Sequence, residues 1–282
     1  MAEQIQADDW RPKLVALDID GTLLRWVASG ATQEEISPAV YDAVHRAAAA
    51  GAHIVLASGR SAHGMTPVAD LLDLPKDGED RLWVVASNGA TVFRYPPVEL
   101  IYEETFDAAP AVTAVLTEHP KALVAVEEWG IGYRLNRPFP DGELTGEMII
   151  AEVADLVAEE VSRVIIRDPD ATVEEFIELA ERLGLHGTDY IVGITAWLDL
   201  APVGVSKASG LERVAAELGI AAEDVLAIGD GRNDLEMLAW AGRGVAMGQA
   251  IEVVRETAAA VTASVYDDGA AVELNRWFGS GR

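Results

Sequence analysis

Two aspartates, Asp18 and Asp20, stand two residues apart where the apolar run Leu14-Val15-Ala16-Leu17 meets Gly21-Thr22. A short apolar run of this kind reads as a buried strand, and Gly21 supplies the break that ends it. On extended backbone the side chains at i and i+2 point the same way. Both carboxylates are therefore expected to face one small volume at the carboxyl end of a strand, where open α/β sheets bind ligands. Like charges this close repel, so the pair makes chemical sense where a cation sits between them or one acid keeps a proton. The plain alternative is a strand that ends in an Asp-Gly turn, a common turn dipeptide.

A second apolar run, Val225-Leu226-Ala227-Ile228, also leads into acids, in Gly229-Asp230-Gly231-Arg232-Asn233-Asp234. Asp230 falls at the strand end, and Asp234 at the start of the next helix, where the helix dipole alone also favours an acid. Together with Asp18 they supply carboxylates able to converge on one hard cation, with Mg²⁺ the best match to an oxygen-only donor set. Ser58-Gly59 follows a third apolar run, His53–Ala57. A hydroxyl and exposed N–H groups at such a place can hold phosphate oxygens, although Ser-Gly also marks ordinary turns. Lys207 falls near the start of a helix, where the dipole disfavours a cation. Beside clustered carboxylates and a phosphate it would instead offset their charge. The histidines His45, His53, His63, His119 and His186 lack metal-ligand spacing and read as structural or surface residues.

The elements that must position these groups alternate along the first third of the chain. A strand over Lys13–Leu17 precedes a polar stretch, then a helix from Pro38 to Ala50 with Ser37 as N-cap and Gly51 as its stop. Strands over His53–Ala57 and Leu82–Ala86 follow, and such alternation predicts a doubly wound parallel sheet. From Val92 to Leu200 the pattern changes to closely paired strands: Ala122–Val126 with Gly132–Leu135, and Tyr190–Ile194 with Trp197–Leu200. Ser162–Ile166 lies between them, and 172–183 has helical periodicity. Short connections there imply antiparallel neighbours. After Pro202 the α/β alternation returns, with helices over Ser206–Leu218, Asp234–Ala241 and Glu252–Ala260 and strands over Asp224–Ile228 and Arg243–Ala246. The expected organisation is a Rossmann-like α/β core made of residues 1–90 and 201–282, with an α+β unit, residues 91–200, inserted as a cap.

Composition narrows the partners. The chain has 282 residues, half of them hydrophobic, which suffices for real cores in both units. A formal net charge of −26 repels nucleic acid and anionic surfaces, and no basic stripe interleaved with aromatic residues appears. The absence of cysteine excludes disulfides and thiolate metal sites but not oxygen-ligated cations. No basic-then-apolar leader opens the chain, and no apolar run approaches the ~20 residues needed to span a bilayer. A cytoplasmic protein with no membrane partner is the expectation.

Taken in order, Asp18-Ile19-Asp20-Gly21-Thr22, Ser58, Lys207 and Gly229-Asp230 with Asp234 resemble the four motifs of the haloacid dehalogenase superfamily. Ser58-Gly59-Arg60, Ser87-Asn88-Gly89-Ala90, Gly204-Val205-Ser206-Lys207 and Ala246-Met247-Gly248-Gln249-Ala250 are similar to the Cof-type branch, which carries its larger cap between the second and third motifs. Gln249 departs from the asparagine usual there; it keeps an amide but lengthens the arm.

The resemblance implies a Mg²⁺-dependent phosphatase of small phosphorylated metabolites, for instance a sugar phosphate. Asp18 would attack phosphorus, and Asp20 would protonate the leaving oxygen and then deprotonate water. Asp18, the Asp20 main-chain carbonyl and Asp230 would hold the metal, with Asp234 acting directly or through water. Ser58, Gly59, Lys207 and Asn233 would bind or orient the phosphoryl group. Arg60 would reach the phosphate or brace the cap, and Asn88-Gly89 would form part of a hinge or substrate wall. Trp129, Tyr133, Arg134, Arg137 and Trp197 are cap candidates for the leaving group. A phosphomutase of the same superfamily, or a non-catalytic metabolite-binding protein on the same fold, are the alternatives. The retained Asp18, Asp20, Lys207 and Asp230 argue against the latter.

Overall fold

A computed structural model describes residues 10–27, 32–74, 81–168, 170–172, 174–175, 178, 188–192 and 197–279. An eight-stranded sheet forms its larger unit. At its centre lies β1 (Leu14–Leu17), all four residues fully buried. Burying a Leu or Val side chain contributes roughly 1.5–3 kcal/mol, and a strand covered on both faces loses the in/out polarity alternation. β1 pairs in parallel with β4 (His53–Ala57) on one side and β14 (Val225–Gly229) on the other. Further out, β5 (Leu82–Ala86) follows β4, and β15 (Arg243–Ala246) and β16 (Ala260–Val261) follow β14, all parallel.

Alternate residues of these strands meet helices on opposite faces. Val15, Leu17, Ile54, Leu56, Leu226 and Ile228 pack against α1 (Pro38–Ala49), α2 (Ala62–Leu72) and α8 (Gly269–Phe278). Leu14, Ala16, Val55, Ala57, Val225 and Ala227 pack against α5 (Lys207–Leu218), α6 (Leu235–Trp240) and α7 (Glu252–Thr257). This is the doubly wound arrangement that the strand–helix alternation predicts. Its carboxyl-end registers set Leu17 level with both Leu56 and Ile228, so the segments beginning at Asp18, Ala57 and Gly229 emerge side by side.

The expected boundary at residue 90 does not coincide with the edge of this sheet. β6 (Thr91–Tyr95) and β7 (Glu99–Glu103) extend it, each antiparallel to its neighbour. Only the tight turn Ser87–Gly89 joins β5 to β6, too short for the crossover a parallel strand needs, and Val92 and Phe93 are buried in the core. A hairpin of β2 (Leu24–Trp26) and β3 (Thr32–Ile36) occupies what reads in sequence as a polar stretch.

A second, six-stranded sheet has the order β10-β9-β8-β11-β13-β12. Its strands are β8 (Leu123–Glu128), β9 (Gly132–Leu135), β10 (Glu147–Ile150), β11 (Val164–Arg167), β12 (Thr188–Val192) and β13 (Trp197–Pro202). One face, with Val124, Val126, Ile166 and Leu198, packs against α3 (Ala109–Glu118) and α4 (Val153–Leu156). Most of the helix expected over 172–183, and residues 193–194 of an expected strand, lie outside the described residues. Among the described residues no helix is long and apolar enough to cross a membrane.

One close approach fixes the start of α5. Ser206 and Ser209 cap it reciprocally, an arrangement in which the cap alone contributes about 1 kcal/mol. Gly89 lies against it at φ +103°, and a Cβ there would stand 2.0 Å from the Ser206 carbonyl oxygen. Gly89→Ala is expected to lower stability by about 2 kcal/mol or more, because it adds left-handed strain to a backbone collision. Urea denaturation measures this; an unchanged midpoint would mean that the contact relaxes freely.

Candidate active site

Asp18 is the first residue beyond β1 and is almost wholly buried; its N–H donates to the Ile228 carbonyl at 3.0 Å. Its two oxygens are both held. The Lys207 ammonium donates to Oδ1 at 2.6 Å and the Thr22 hydroxyl to Oδ2 at 3.1 Å. Lys207, the first residue of α5, is itself fully buried and donates equally to Asp234 Oδ1 at 2.6 Å. The other Asp234 oxygen accepts the main-chain N–H groups of Asp230 (2.9 Å) and Gly231 (2.8 Å). Asp234 thus ties the loop after β14 to the lysine.

Asp230 completes the cluster, in which one ligand atom each from Asp18, Asp230 and Asp234 lies within 4.8 Å of the others. At such separations each pair of charges repels by roughly 3–4 kcal/mol at an effective dielectric of 20. One lysine cannot neutralise three carboxylates, and the protonation equilibria record this. Burial first, then the Asp234 charge, hold the Asp18 carboxyl well above the ordinary range against the pull of Lys207. The same two causes raise Asp230 to about 6, opposed by hydrogen bonds from Gln249 and the Trp26 indole and by Lys207. Burial works against the charge on Lys207, but Asp18 and Asp234 outweigh it and raise its pKa. An all-oxygen, electron-rich donor set with unneutralised charge fits a hard divalent cation.

Asp20 does not join the cluster. The regular strand stops at Leu17, and Gly21 to Leu24 fold back on Ile19 and Asp20, so the same-side rule for extended backbone no longer applies. Its carboxylate turns instead to Arg60, which grips it in two-pronged fashion: Nη2 to Oδ1 at 2.6 Å and Nε to Oδ2 at 2.9 Å. Buried Ser58 lies two residues before Arg60 and accepts its main-chain N–H through Oγ at 3.2 Å. Gly59 lies under Asn88, whose Oδ1 is 3.0 Å from where a Cβ would stand. That same Oδ1 accepts from Asn233 Nδ2 at 3.0 Å, so the loops after β4, β5 and β14 are linked.

Gln249 reaches into the site with every amide atom used. Its Nε2 donates to the Gly21 carbonyl (2.6 Å) and Asp230 Oδ2 (3.1 Å), and its Oε1 accepts from the Val265 N–H (2.8 Å). The longer arm has found partners on both acidic loops.

The second sheet meets the first through polar groups. Ser87 and Asn88 adopt left-handed φ of 49° and 52°, uncommon for residues with a side chain. From there the Ser87 hydroxyl donates to Glu127 Oε2 of β8 at 2.6 Å. Arg163 lies 3.6 Å from the same oxygen, pairs with both oxygens of Asp199 (2.8 and 2.7 Å) and donates to the Tyr133 hydroxyl at 3.2 Å. Burial raises the Glu127 carboxyl and pushes Tyr133 to about 12. Trp129, in the turn between β8 and β9, packs edge-on against Phe93 of β6 at 5.6 Å.

Of the aromatic and basic residues singled out in this region, Tyr133 belongs to the network, whereas Arg134 pairs with Glu128 and Arg137 with the carbonyls of Pro120 and Lys121. Trp197 packs against Phe139. Sequence reasoning missed Thr22, Trp26, Glu127, Arg163 and Asp199. The available signal, for Asp199, was a charge between apolar residues, in Leu198-Asp199-Leu200.

Comparison with known proteins identifies the family. A family profile described as haloacid dehalogenase-like hydrolase matches residues 15–274. The chain is 31% identical to a phosphoglycolate phosphatase of Natronomonas pharaonis over 93% of its own length and 96% of that protein's. It is 26% identical to a 5-amino-6-(5-phospho-D-ribitylamino)uracil phosphatase of Bacillus subtilis, covering 97% and 98%. A haloacid dehalogenase-like hydrolase from Bacteroides thetaiotaomicron superposes with a TM-score of 0.76 at 27% identity, over 95% of this chain and all of that one. With its acids at the carboxyl ends of β1 and β14 and a family match spanning nearly the whole chain, the protein belongs to the haloacid dehalogenase-like hydrolases, in their Cof-type branch.

Proposed function

We propose that the chain is a Mg²⁺-dependent phosphomonoester hydrolase of small phosphorylated metabolites that works through an aspartyl-phosphate on Asp18. The observation that carries this reading is the Asp18–Asp230–Asp234 cluster bridged by buried Lys207. The names of the relatives as phosphatases support it. An oxygen of Asp18 bonds to phosphorus as the bond to the leaving oxygen breaks, and Asp20 gives that oxygen a proton. Water then attacks phosphorus while losing a proton to Asp20, and the bond to Asp18 breaks. A carboxylate nucleophile divides one difficult displacement into two easier ones.

Asp18, Asp230 and the main-chain carbonyl of Asp20 would hold Mg²⁺, with Asp234 bracing the loop that carries Asp230. Bound there, the ion supplies positive charge for the phosphoryl oxygens. Ser58, the Gly59 main chain and Lys207 bind the transferring group, and Asn233 orients the loop through Asn88. Such sites act by positioning and by neutralising charge. The second sheet would act as a cap over the site, joined to the first through the Ser87–Glu127 hydrogen bond, and would meet the leaving group, such as a sugar. In this reading the cap begins after β7, not at residue 91.

Asp18→Asn is expected to abolish Mg²⁺-dependent phosphate release from an aryl phosphate while leaving the circular dichroism spectrum unchanged. Wild-type turnover in that variant would remove Asp18 as the nucleophile.

A second expectation concerns pH. In the unfolded chain the Asp230 proton leaves near 3.8, and in the folded metal-free protein near 6. Between those values the folded state binds more protons, so Asp230 makes metal-free stability fall as pH rises, and the penalty persists above 6. A cation relieves that penalty but must displace the proton below 6. Mg²⁺ affinity is therefore expected to fall by at least about tenfold per pH unit below 6, and more steeply where the raised Asp18 carboxyl must also lose its proton. Titration calorimetry measures this, and a flat profile from pH 7 to 5 would exclude Asp230 as a ligand.

A further inference from the structure

Asp20 is less buried than Asp18 and Asp234: its side chain keeps about a quarter of its surface exposed, and it stands in an isolated bridge to Leu24 at the mouth of a tight turn. Its orientation comes from Arg60. Nη2 donates to Oδ1 at 2.6 Å, and Nε donates to Oδ2 at 2.9 Å and also approaches Oδ1 at 3.2 Å. A planar guanidinium on a planar carboxylate in this manner fixes the plane of the acid as well as its distance, which a point charge cannot do.

The arginine is itself fixed from three sides. Its main-chain N–H donates to Ser58 Oγ at 3.2 Å, and its carbonyl accepts the Ser87 N–H at 2.9 Å. Its Nη2 also donates to Glu34 Oε1 of β3 at 2.9 Å. Arg60 therefore belongs at once to the loop that carries Ser58, to the turn under the second sheet and to the β2–β3 hairpin. An exposed ion pair contributes little; this pair is about three-quarters buried or more on both sides and two-pronged.

We infer that Arg60 is a positioning residue for Asp20, holding its carboxylate out of the Asp18–Asp230–Asp234 cluster and in one plane for proton transfer. The inference rests on the proposed role of Asp20 as acid and base. A carboxylate has about four lone-pair sites, and a two-pronged arginine occupies two. One site on each oxygen is left for the proton in transit.

The test uses substrates that differ in their need for an acid. A nitrophenyl phosphate leaves readily without a proton, whereas an alkyl phosphate such as glycerol phosphate does not. General acid–base groups contribute about 10²–10⁴-fold. Arg60→Met is therefore expected to lose about 10²-fold in kcat/KM on the alkyl phosphate and about fivefold or less on the nitrophenyl ester, the same pattern as Asp20→Asn. Arg60→Lys, keeping charge without the fork, is expected to restore only part of the loss. Mg²⁺ affinity by calorimetry and competitive inhibition by inorganic phosphate should both stay within about threefold of wild type, with a native circular dichroism spectrum.

Equal losses on both substrates, accompanied by weaker phosphate inhibition, would make Arg60 a phosphoryl ligand and overturn the inference. Weaker Mg²⁺ binding would overturn it too, by placing Arg60 in support of the cluster. If Asp20→Asn itself showed no dependence on the leaving group, the proposed role of Asp20 would fail first, and that result is separable from the behaviour of Arg60.

Discussion

The site depends on concentrating three carboxylates and one ammonium in a volume from which water is nearly excluded. Lys207 meets two of the acids at 2.6 Å each, and two main-chain N–H groups and a hydroxyl take up further lone pairs. Those contacts are not enough, and the raised equilibria of Asp18 and Asp230 are the residue of the imbalance. Such a cluster tends to fly apart unless its members are anchored to something stiff. The anchor is the pair β1 and β14, whose buried, hydrogen-bonded backbones set Asp18 and the Asp230 loop side by side. In the proposed reading an overall charge of −26 would not prevent binding of a phosphate ester, because the lysine and a cation held by the acids would act locally where the low dielectric makes them strong.

Each acid has a different set of contacts because each arrives from a different kind of backbone. Asp18 follows directly from a strand and is buried. Asp234 gives one oxygen to Lys207 and the other to the loop that carries Asp230. Asp20, from a turn, points elsewhere and answers to Arg60. Gln249 draws the two acidic loops together, joining the Gly21 carbonyl to Asp230.

The seam between the two sheets follows a different logic. Its centre is a buried ionic network, Glu127, Arg163 and Asp199, and such networks contribute little net stability because desolvation offsets the attraction. What they provide is geometric definition: removing one member leaves the others buried and unpaired. The left-handed backbone at Ser87 and Asn88 holds one residue toward Glu127 and the next toward Asn233, joining the seam to the acidic loops.

The core strands and helices were legible in sequence because their signals are local. An apolar run with Asp-Gly at its end, Ser37 before Pro38 and a serine before Lys207 each act within a few residues. The chemical types at the strand ends, and so the family resemblance, were legible for the same reason. Which side chains would share a volume was legible in part: Asp18, Asp230 and Asp234 were expected to converge and do, whereas the Asp20 carboxylate was expected beside Asp18 and turns to Arg60. By spacing alone Asp18 and Asp20 look equivalent; the resemblance separates their expected roles, and the point at which the strand stops separates their side chains. The placement of β6 and β7 in the first sheet, the partners of Gln249 and the Glu127–Arg163–Asp199 network join residues tens of positions apart. Sequence by itself determined the inventory of acids, the lysine and the strands that carry them. Tertiary structure alone decided which partner each side chain takes, because burial and electrostatic pairing depend on distance in space, and that distance is set by sheet register and not by spacing along the chain.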